Sequence, residues 1–597
     1  MAQQPAPIPF RPYLAPMFLR RVGNLSGARL LRELRDQILE LLTVAGGQRA
    51  MIQSSPPTAN GLLRTATIEY EHRSTPAWAQ PGAYVDLAHH LLVISVKGEL
   101  AAISASESAF RPRIYRKITA ARPIPRAQIE SAFVGDEAKA LWLDGIHARS
   151  DAKPDAKVLI GRALEFAIDP LGDQTYAFKA VRSKVPVLLS NGAANPVIGA
   201  SPDESRLWVN RPRGWPEFLA DTEALLDRVA AVAAGPVTVR FPILAQAVAD
   251  LAAVSDADAV ALVPPELLGD DTDPALRELA SRWAHGAEFG VVAGIGPNLV
   301  ASVTFESVQL GDLSISPTLS GDKVALNFQW ITQPAHAVAG RADFDALMVE
   351  YGWLKIYYNS GHTISGEKCF SSAYTDQWFP DWKFKNLSGY DVTLEKPIVL
   401  AGQTLGFSIG IPKAPGQRDD SLFGYCHDIF NIGWLASDDG SMELADFVHI
   451  DDNTNLVTLI HAKGAGSAAA NREVSASKYE VVTGQAVKNL RHLERHSLAA
   501  ALDAGRHHLI ADAVWHNGVR QPNRTGLIAR IQTLPSNYRK RVVIIQPQMT
   551  RTEHNNCADG TATFRRILKM KQLNTLLLAA KLSANAVGAD FEVWGAE

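Results

Sequence analysis

Cysteine is almost missing from this chain. Of 597 residues only Cys369, Cys426 and Cys557 are cysteines, and they lie far apart. Three isolated thiols make neither a disulfide framework nor a CxxC zinc site, and they suit a reducing cytosol. Excess charge is missing too: 59 Lys and Arg against 62 Asp and Glu leave a net charge of −3. The protein is therefore no polycation, and any nucleic-acid contact has to come from local basic patches. No apolar run approaches the roughly 18 residues that span a bilayer, so no membrane partner is expected. The opening MAQQPAPIPFRPYLAPMFLRR is proline-rich and lacks the continuous apolar stretch of a signal peptide.

Several catalytic signatures are absent as well. There is no GxxxxGK[ST], so the chain has no Walker-type ATPase, and no GxSxG, so a serine hydrolase is unsupported. GIGPN (294–298) lacks the strand–GxGxxG–helix context of a dinucleotide site. His89-His90 and His507-His508 are adjacent pairs. Neighbours on a strand point to opposite faces, so neither pair chelates one metal simply. His461-Ala-Lys463 has the spacing of a phospholipase-D HxK, but Ala468 stands where that motif needs Asp, and there is one copy rather than two.

What is present is ordinary globular composition: 47% hydrophobic and 20% charged. That excludes wholesale disorder, and the length suggests about three to five domains. Residues 1–60 read as an irregular leader and a packing helix. Prolines at 5, 7, 9, 12 and 16 forbid an early helix, whereas Leu30, Leu31, Leu34, Ile38, Leu41 and Leu42 recur at helical spacing up to Gly46-Gly47. Residues 61–305 read as an α+β region for recognising a substrate or partner. LLVISVKGELAAIS (91–104) is a hairpin turning at Lys97-Gly98, ALLDRVAAVAA is helical, and PVTVRFPIL and ADAVALVPP are strand-like. Residues 306–415 form a β-rich insert dense in aromatics: Trp353, Tyr357, Tyr358, Tyr374, Trp378, Phe379, Trp382 and Phe384. These rings, with His362, either fill a small core or touch nucleic acid.

The stretch 416–597 carries the chemistry. Asp420-SLFGYCHDIF reads as a helix, and 433–437, 442–450 and 456–463 as three strands. Asp438-Asp-Gly440 and Asp451-Asp-Asn-Thr-Asn455 are the turns between them, and 477–493 is a second helix. VVIIQP (542–547), residues 567–587 and DFEVWG (590–595) continue as strand, helix and strand. With the second turn centred between Asn453 and Thr454, facing residues sum to 907. Val448 then faces Leu459, Ile450 faces Val457, and Asp446 faces His461. Period two puts Asp446, His461 and Lys463 on the face that carries those apolar residues. On the following helix Tyr479, Val482, Ala486, Leu490 and Leu493 form an apolar face. Gln485, Lys488, His492 and Arg495 form a polar to basic stripe suited to phosphate oxygens.

A helix, a hairpin bearing Asp446, a strand ending in x-x-Lys463 and a helix carrying Gln485 resemble the PD-(D/E)XK, or restriction-endonuclease-like, nuclease core. From YYNSGHTI through HAKG to YEVVTGQAVKNL, roughly 350–597, the chain is also similar to a C-terminal module of bacterial anti-phage defence nuclease–helicase proteins. The resemblance implies a multidomain α/β protein with a C-terminal mixed sheet. It implies a cytoplasmic nuclease that hydrolyses DNA with Mg²⁺ or Mn²⁺ and draws on a separate helicase or ATPase. RNA is not excluded, since the metal chemistry is the same, and an oligomer is compatible with the sequence. In that family the strand Asp and a second acid hold the metal and the Lys positions the attacking water. Asp446 and Lys463 match those positions, and Gln485 resembles a helical Gln near the metal in some branches. His461 stands where the second acid belongs. Glu443, paired with Asp446 as the expected metal set, or Glu480 or Asp428 supplies the missing carboxylate, or His461 is itself a ligand, or the site is degenerate. Imidazole is a poor Mg²⁺ ligand, so proton transfer beside the metal suits His461 better. Lys488, His492 and Arg495 are expected on the nucleic-acid backbone. The alternative is a non-catalytic nucleic-acid-binding or assembly subunit on a degenerate nuclease fold, which the His461 substitution favours.

Overall fold

The stripe of leucines near the start of the chain does form a helix, Gly27–Val44, and Leu30, Leu31, Leu34, Ile38 and Leu42 are buried on it. In a computed structural model of the protein the residues described are 10–44, 49–55, 58–76, 78–80, 82–147, 153–232, 240–267, 274–320, 323–350, 354–372, 376–411, 419–440, 443–505 and 510–597. Gly46-Gly47, Trp353, Tyr374, His507-His508 and most of PVTVR lie outside them. The chain divides into two bodies, 1–168 with 172–374, and 169–171 with 375–597. The boundary falls inside 306–415, so the aromatic stretch that reads as one insert is shared between two bodies. Both combine helices with sheets. Among the described residues no helix is long and apolar enough to cross a membrane.

In the N-terminal body every described strand pairing is antiparallel, in sheets of twelve, five and four strands. The expected hairpin is there: Asp86–Lys97 pairs with Leu100–Ala105, and Gly98 sits at φ +60° in the turn, a conformation glycine adopts without strain. The expected irregular leader is corrected. Met17–Arg21 is a strand inside the largest sheet, with Met17 opposite Ile103, because Met17, Phe18 and Leu19 bury their side chains directly after the last proline. Tyr357 and Tyr358 are buried in strand Leu354–Tyr358, and the turn after them satisfies itself: Gly361 N–H donates to Tyr358 O, and Ser360 Oγ lies 3.0 Å from His362 Nδ1. This favours the core-filling reading for these aromatics.

The C-terminal body is built on one eight-stranded mixed sheet. Its strands are β1 (Trp382–Lys385), β2 (Trp434–Ser437), β3 (Phe447–Asp451), β4 (Leu456–Ala462), β5 (Val514–His516), β6 (Val519–Arg520), β7 (Arg539–Thr550) and β8 (Ala589–Ala596). Its helices used below are α1 (Leu422–Ile429), α2 (Ser477–Lys488), α3 (Arg495–Ala504), α4 (Thr525–Gln532), α5 (Arg551–Ala558) and α6 (Phe564–Ala586). The strand order is β1-β8-β7-β4-β3-β2-β5-β6. β2, β3 and β4 form an antiparallel meander, while β7 runs parallel to β4, β8 parallel to β7 and β1 parallel to β8. The crossover from β4 to β7 includes α2, and that from β7 to β8 includes α6, as parallel pairing requires. Val448, Ile450, Val457, Leu459 and Ile544 share one core with the buried faces of α2 and α6. Phe447, Ile460, Ala462, Val543 and Ile545 share the opposite core with Phe423, Tyr425 and Cys426 of α1. A sheet covered on both faces explains why β7 reads as a continuous apolar run.

The hairpin register matches its sequence reading: Val448 pairs with Leu459, Ile450 with Val457 and Phe447 with Ile460. Asp451 holds the turn, its Oδ1 accepting from Asn453 N–H at 2.9 Å and its Oδ2 from Thr454 Oγ1 at 2.9 Å. Two expectations are corrected. The strand expected from residue 442 begins at Phe447, because Asp438 and Ser437 bond the Asp446 carbonyl and draw the chain out of the ladder. The helix expected to run to 493 ends at Lys488, and Leu490–Leu493 is a separate 3-10 turn.

Candidate functional site

The described residues between β2 and β3, 438–440 and 443–446, are pinned in place. Asp438 is its anchor: its Oδ1 accepts from Arg524 Nη1 at 2.7 Å and its Oδ2 from Leu444 N–H at 3.1 Å. Arg524, with no exposed side-chain surface, also donates to Ser437 O at 2.8 Å. Thus one buried guanidinium ties the end of β2 to the start of α4. Asp446 then turns its carboxylate to the end of the neighbouring strand, where Oδ2 accepts from Ala462 N–H at 2.7 Å.

This arrangement gathers three carboxylates. One ligand oxygen from each of Asp439, Glu443 and Asp446 lies within 4.8 Å of the others. Glu443 is oriented by α2: Gln485 Nε2 donates to its Oε1 at 2.7 Å, and Asn489 Nδ2 donates to its main-chain O at 3.1 Å. A fourth carboxylate arrives on the segment before α1, which is stitched in place by Phe423 N–H donating to Glu395 O and Ala465 N–H donating to Val392 O. Glu395 pairs with Lys463 at 2.8 Å, and its neighbour Lys396 pairs with Asp439 at 2.8 Å. With all four carboxylates ionised, the two ammonium groups leave two unbalanced negative charges. Asp446 shows the effect: burial first, then the charges of Glu443, Asp439 and Glu395, push its carboxyl up to about 8 despite the Ala462 N–H. The donors are all oxygens, which suits a hard dication such as Mg²⁺ or Mn²⁺.

Of the expected site residues, Asp446, Glu443 and Gln485 come together, and Lys463 lies one ion pair away through Glu395. His461 faces Asp446 in the extended register yet lies apart chemically. It is 1% exposed, and among the described residues neither ring nitrogen has a hydrogen-bond partner. Burial, with the charge of Lys488 adding to it, lowers its pKa to about 3, so it is a neutral ring at ordinary pH. Asp428 accepts from Tyr390 Oη at 2.6 Å and Glu480 is exposed on α2, so neither joins the cluster. The basic stripe is broken with the helix. Lys488 lies near His461, His492 Nδ1 is 3.1 Å from Ser497 Oγ, and Arg495 donates to Leu534 O at 2.9 Å from the start of α3. Sequence reasoning missed Asp439, Glu395 and Lys396. The one signal for Asp439 was its place in an Asp-Asp-Gly turn beside a strand that carries another Asp.

A second group of close ligands lies in the N-terminal body, where His72, His90 and Glu107 converge. It includes one member of the His89-His90 pair, joined by a partner from the adjacent strand. Glu107 is already satisfied, since it accepts from Arg49 through two nitrogens and from Tyr70 Oη at 2.8 Å, with His72 Nδ1 at 3.2 Å. Burial would raise its pKa, but the bonds and charge of Arg49 outweigh that and hold it below the usual carboxylate value.

Comparison of the chain with protein-family models gives no match, and comparison with curated proteins finds none that is similar.

Proposed function

We propose that the C-terminal body is a metal-dependent nuclease of the PD-(D/E)XK kind that hydrolyses phosphodiester bonds of DNA. The observation that carries this is the convergence of Asp439, Glu443 and Asp446, with one carboxylate oxygen from each within 4.8 Å of the others, around an Asp446 carboxyl that burial and its acidic neighbours push up to about 8. A helix, an antiparallel meander and a helix support it, since the resemblance implies that order around such a site. Asp439, Glu443 and Asp446 would hold Mg²⁺ or Mn²⁺. Bound there, such an ion supplies charge neutralisation at the phosphate and a water of lowered pKa. Gln485 fixes the Glu443 carboxylate, and Lys463, once Glu395 releases it, can position the attacking water or neutralise a phosphate oxygen. The N-terminal body is assigned to recognition of substrate or partner. Duplex opening would be the work of a separate helicase or ATPase, and anti-phage defence is the setting the resemblance suggests.

Cleavage of linear and circular DNA with Mg²⁺ or Mn²⁺, lost in Asp446→Ala, is the expected result. The rival reading, a nucleic-acid-binding or assembly subunit on a retired nuclease fold, draws on His461, a buried ring without a hydrogen-bond partner among the described residues, at the position of the second acid. It predicts an inactive wild type and, if His461 alone retired the site, a metal-dependent His461→Asp variant.

A further inference from the structure

Aromatic side chains cluster a second time in the C-terminal body, at the edge of its sheet. Trp382 and Phe384 stand two residues apart on β1, so they share a face, with ring centroids 5.9 Å apart and planes 9° from parallel. Trp378 precedes the strand and is 40% exposed. From α5, the His554 ring stands edge-on to Trp378 at 5.7 Å and to Phe384 at 5.4 Å. The Arg551 guanidinium lies 5.3 Å above the Phe384 ring. Together with Asn555 these residues line an open cavity of about 490 Å³, within the range of small-molecule sites.

Two polar atoms of the lining are left without partners. Trp382 is 9% exposed, yet its indole Nε1–H meets no acceptor among the described residues, and His554 Nδ1 is equally alone. Buried donors are normally satisfied, so the unmet indole N–H, which lies beneath the surface of this wall, is a donor that a ligand's acceptor would complete where the wall gives way to admit it. Parallel aromatic planes, a donor in the wall and a guanidinium at the rim fit a flat heterocycle that carries acceptors and an attached anion. A peptide aromatic ring would use the planes alone.

Strand register then relates the cavity to the carboxylates. Trp382 pairs with Val593, Val593 with Ile544 and Ile544 with His461, so the four residues form one row across the sheet. Three strand spacings separate Trp382 from His461, about 14 Å, and Asp446 directly precedes the next strand along.

We propose that this cavity holds one unpaired base of a single-stranded nucleic acid. The base stacks among Trp378 and Phe384, Trp382 Nε1–H donates to a base acceptor, and Arg551 exchanges its exposed partner Glu597, now 2.9 Å away, for the adjoining phosphate. The proposal deepens the nuclease reading and rests on its nucleic-acid substrate.

The test is fluorescence anisotropy with the full chain in EDTA, using a short labelled oligothymidylate, its duplex and an abasic strand of the same length. The single strand should bind tightest. Trp378→Ala should weaken it about tenfold, the size expected of one lost base–aromatic stack. Trp382→Phe, which keeps the ring and removes the N–H, should weaken it several-fold. Arg551→Ala should lower the salt slope by about one. Thermal melts of the variants confirm that they fold. Equal binding of the abasic strand, or wild-type affinity in both Trp378→Ala and Trp382→Phe, overturns the proposal. So does thymidine monophosphate competing as well as the oligomer, which would make this a free-nucleotide site. Because binding is read without metal, the two readings fail separately. A chain that binds through Trp378 and never cleaves keeps the cavity and loses the nuclease. A chain that cleaves but is indifferent to both tryptophan variants does the reverse.

Discussion

Two clusters of close metal-type ligands occur among the described residues, and they are opposites. In the N-terminal body Glu107 lies among His72, His90, Tyr70 and Arg49, and the guanidinium settles its charge internally. In the C-terminal body Asp446 lies among Glu443, Asp439 and Glu395, and the two lysines present leave charge over. Burial acts on both carboxyls in the same direction, yet Glu107 ends below its usual pKa and Asp446 far above it. Ligand proximity is thus common to both, and charge balance separates them. A buried anion with its own guanidinium is a structural element, whereas a buried anion among anions is stable only when protonated or when a cation is added.

The largest effects should come from removing the guanidiniums. Arg49→Ala strands Glu107, and Arg524→Ala strands Asp438 and frees the β2–β3 loop. Each should cost about 3–5 kcal/mol in urea unfolding of its own body. An Arg49→Ala cost near zero would show that Glu107 is not settled as described. Next in size is the response to metal. Mn²⁺ at a hundredfold its dissociation constant should stabilise the C-terminal body by about 2.7 kcal/mol, with no such shift in Asp446→Asn and none attributable to the His72 cluster. Third is the pH dependence of Asp446. Its folded pKa, about 8 against 3.8, favours the protonated form, so its contribution is full below about pH 4 and is lost as pH rises to 8. Asp446→Asn should therefore melt several degrees higher than wild type above pH 8 in EDTA, and metal affinity of the wild type should climb with pH and level off near 8. The smallest effect belongs to His461, whose folded pKa near 3 lies below its ordinary 6.5. Its contribution is present above pH 6.5 and is lost as pH falls towards 3. His461→Leu should flatten that acid limb by about 1–2 kcal/mol at pH 5, read from melting curves.

Regular elements with one buried face were legible in the sequence. The β3–β4 register followed from a strong turn and period two, and the helices at 27–44, 477–488 and 564–586 followed from their stripes. Two signals gave way to contacts distant in sequence. The pattern through 477–493 continues in spacing, but the chain tightens at Asn489, whose amide reaches back to the Glu443 carbonyl, and that breaks the Lys488–His492–Arg495 stripe. Met17–Arg21 is too short for periodicity to register and sits behind five prolines. The carboxylate cluster was half legible. Asp446 stood on a readable strand, whereas Asp439 is aimed by the Asp438–Arg524 pair and Glu395 arrives on a loop some fifty residues earlier, stitched in by main-chain bonds and by ion pairs to Lys463 and from Lys396 to Asp439. No period in the sequence encodes contacts of that kind.

The order of strands also sets a schedule. β8 lies between β7 and β1, and its Val593 pairs with Trp382, 211 residues earlier. During synthesis β1 emerges with no strand to lean on and waits for nearly the whole body to follow. At roughly 5–20 residues per second that wait lasts on the order of ten to forty seconds, with Trp378 and Trp382 uncovered throughout. The aromatic edge is thus the first part of this body to be made and the last to be finished. A lesion in β8 would therefore be felt there, as an unpaired and sticky edge, before it was felt at the carboxylates.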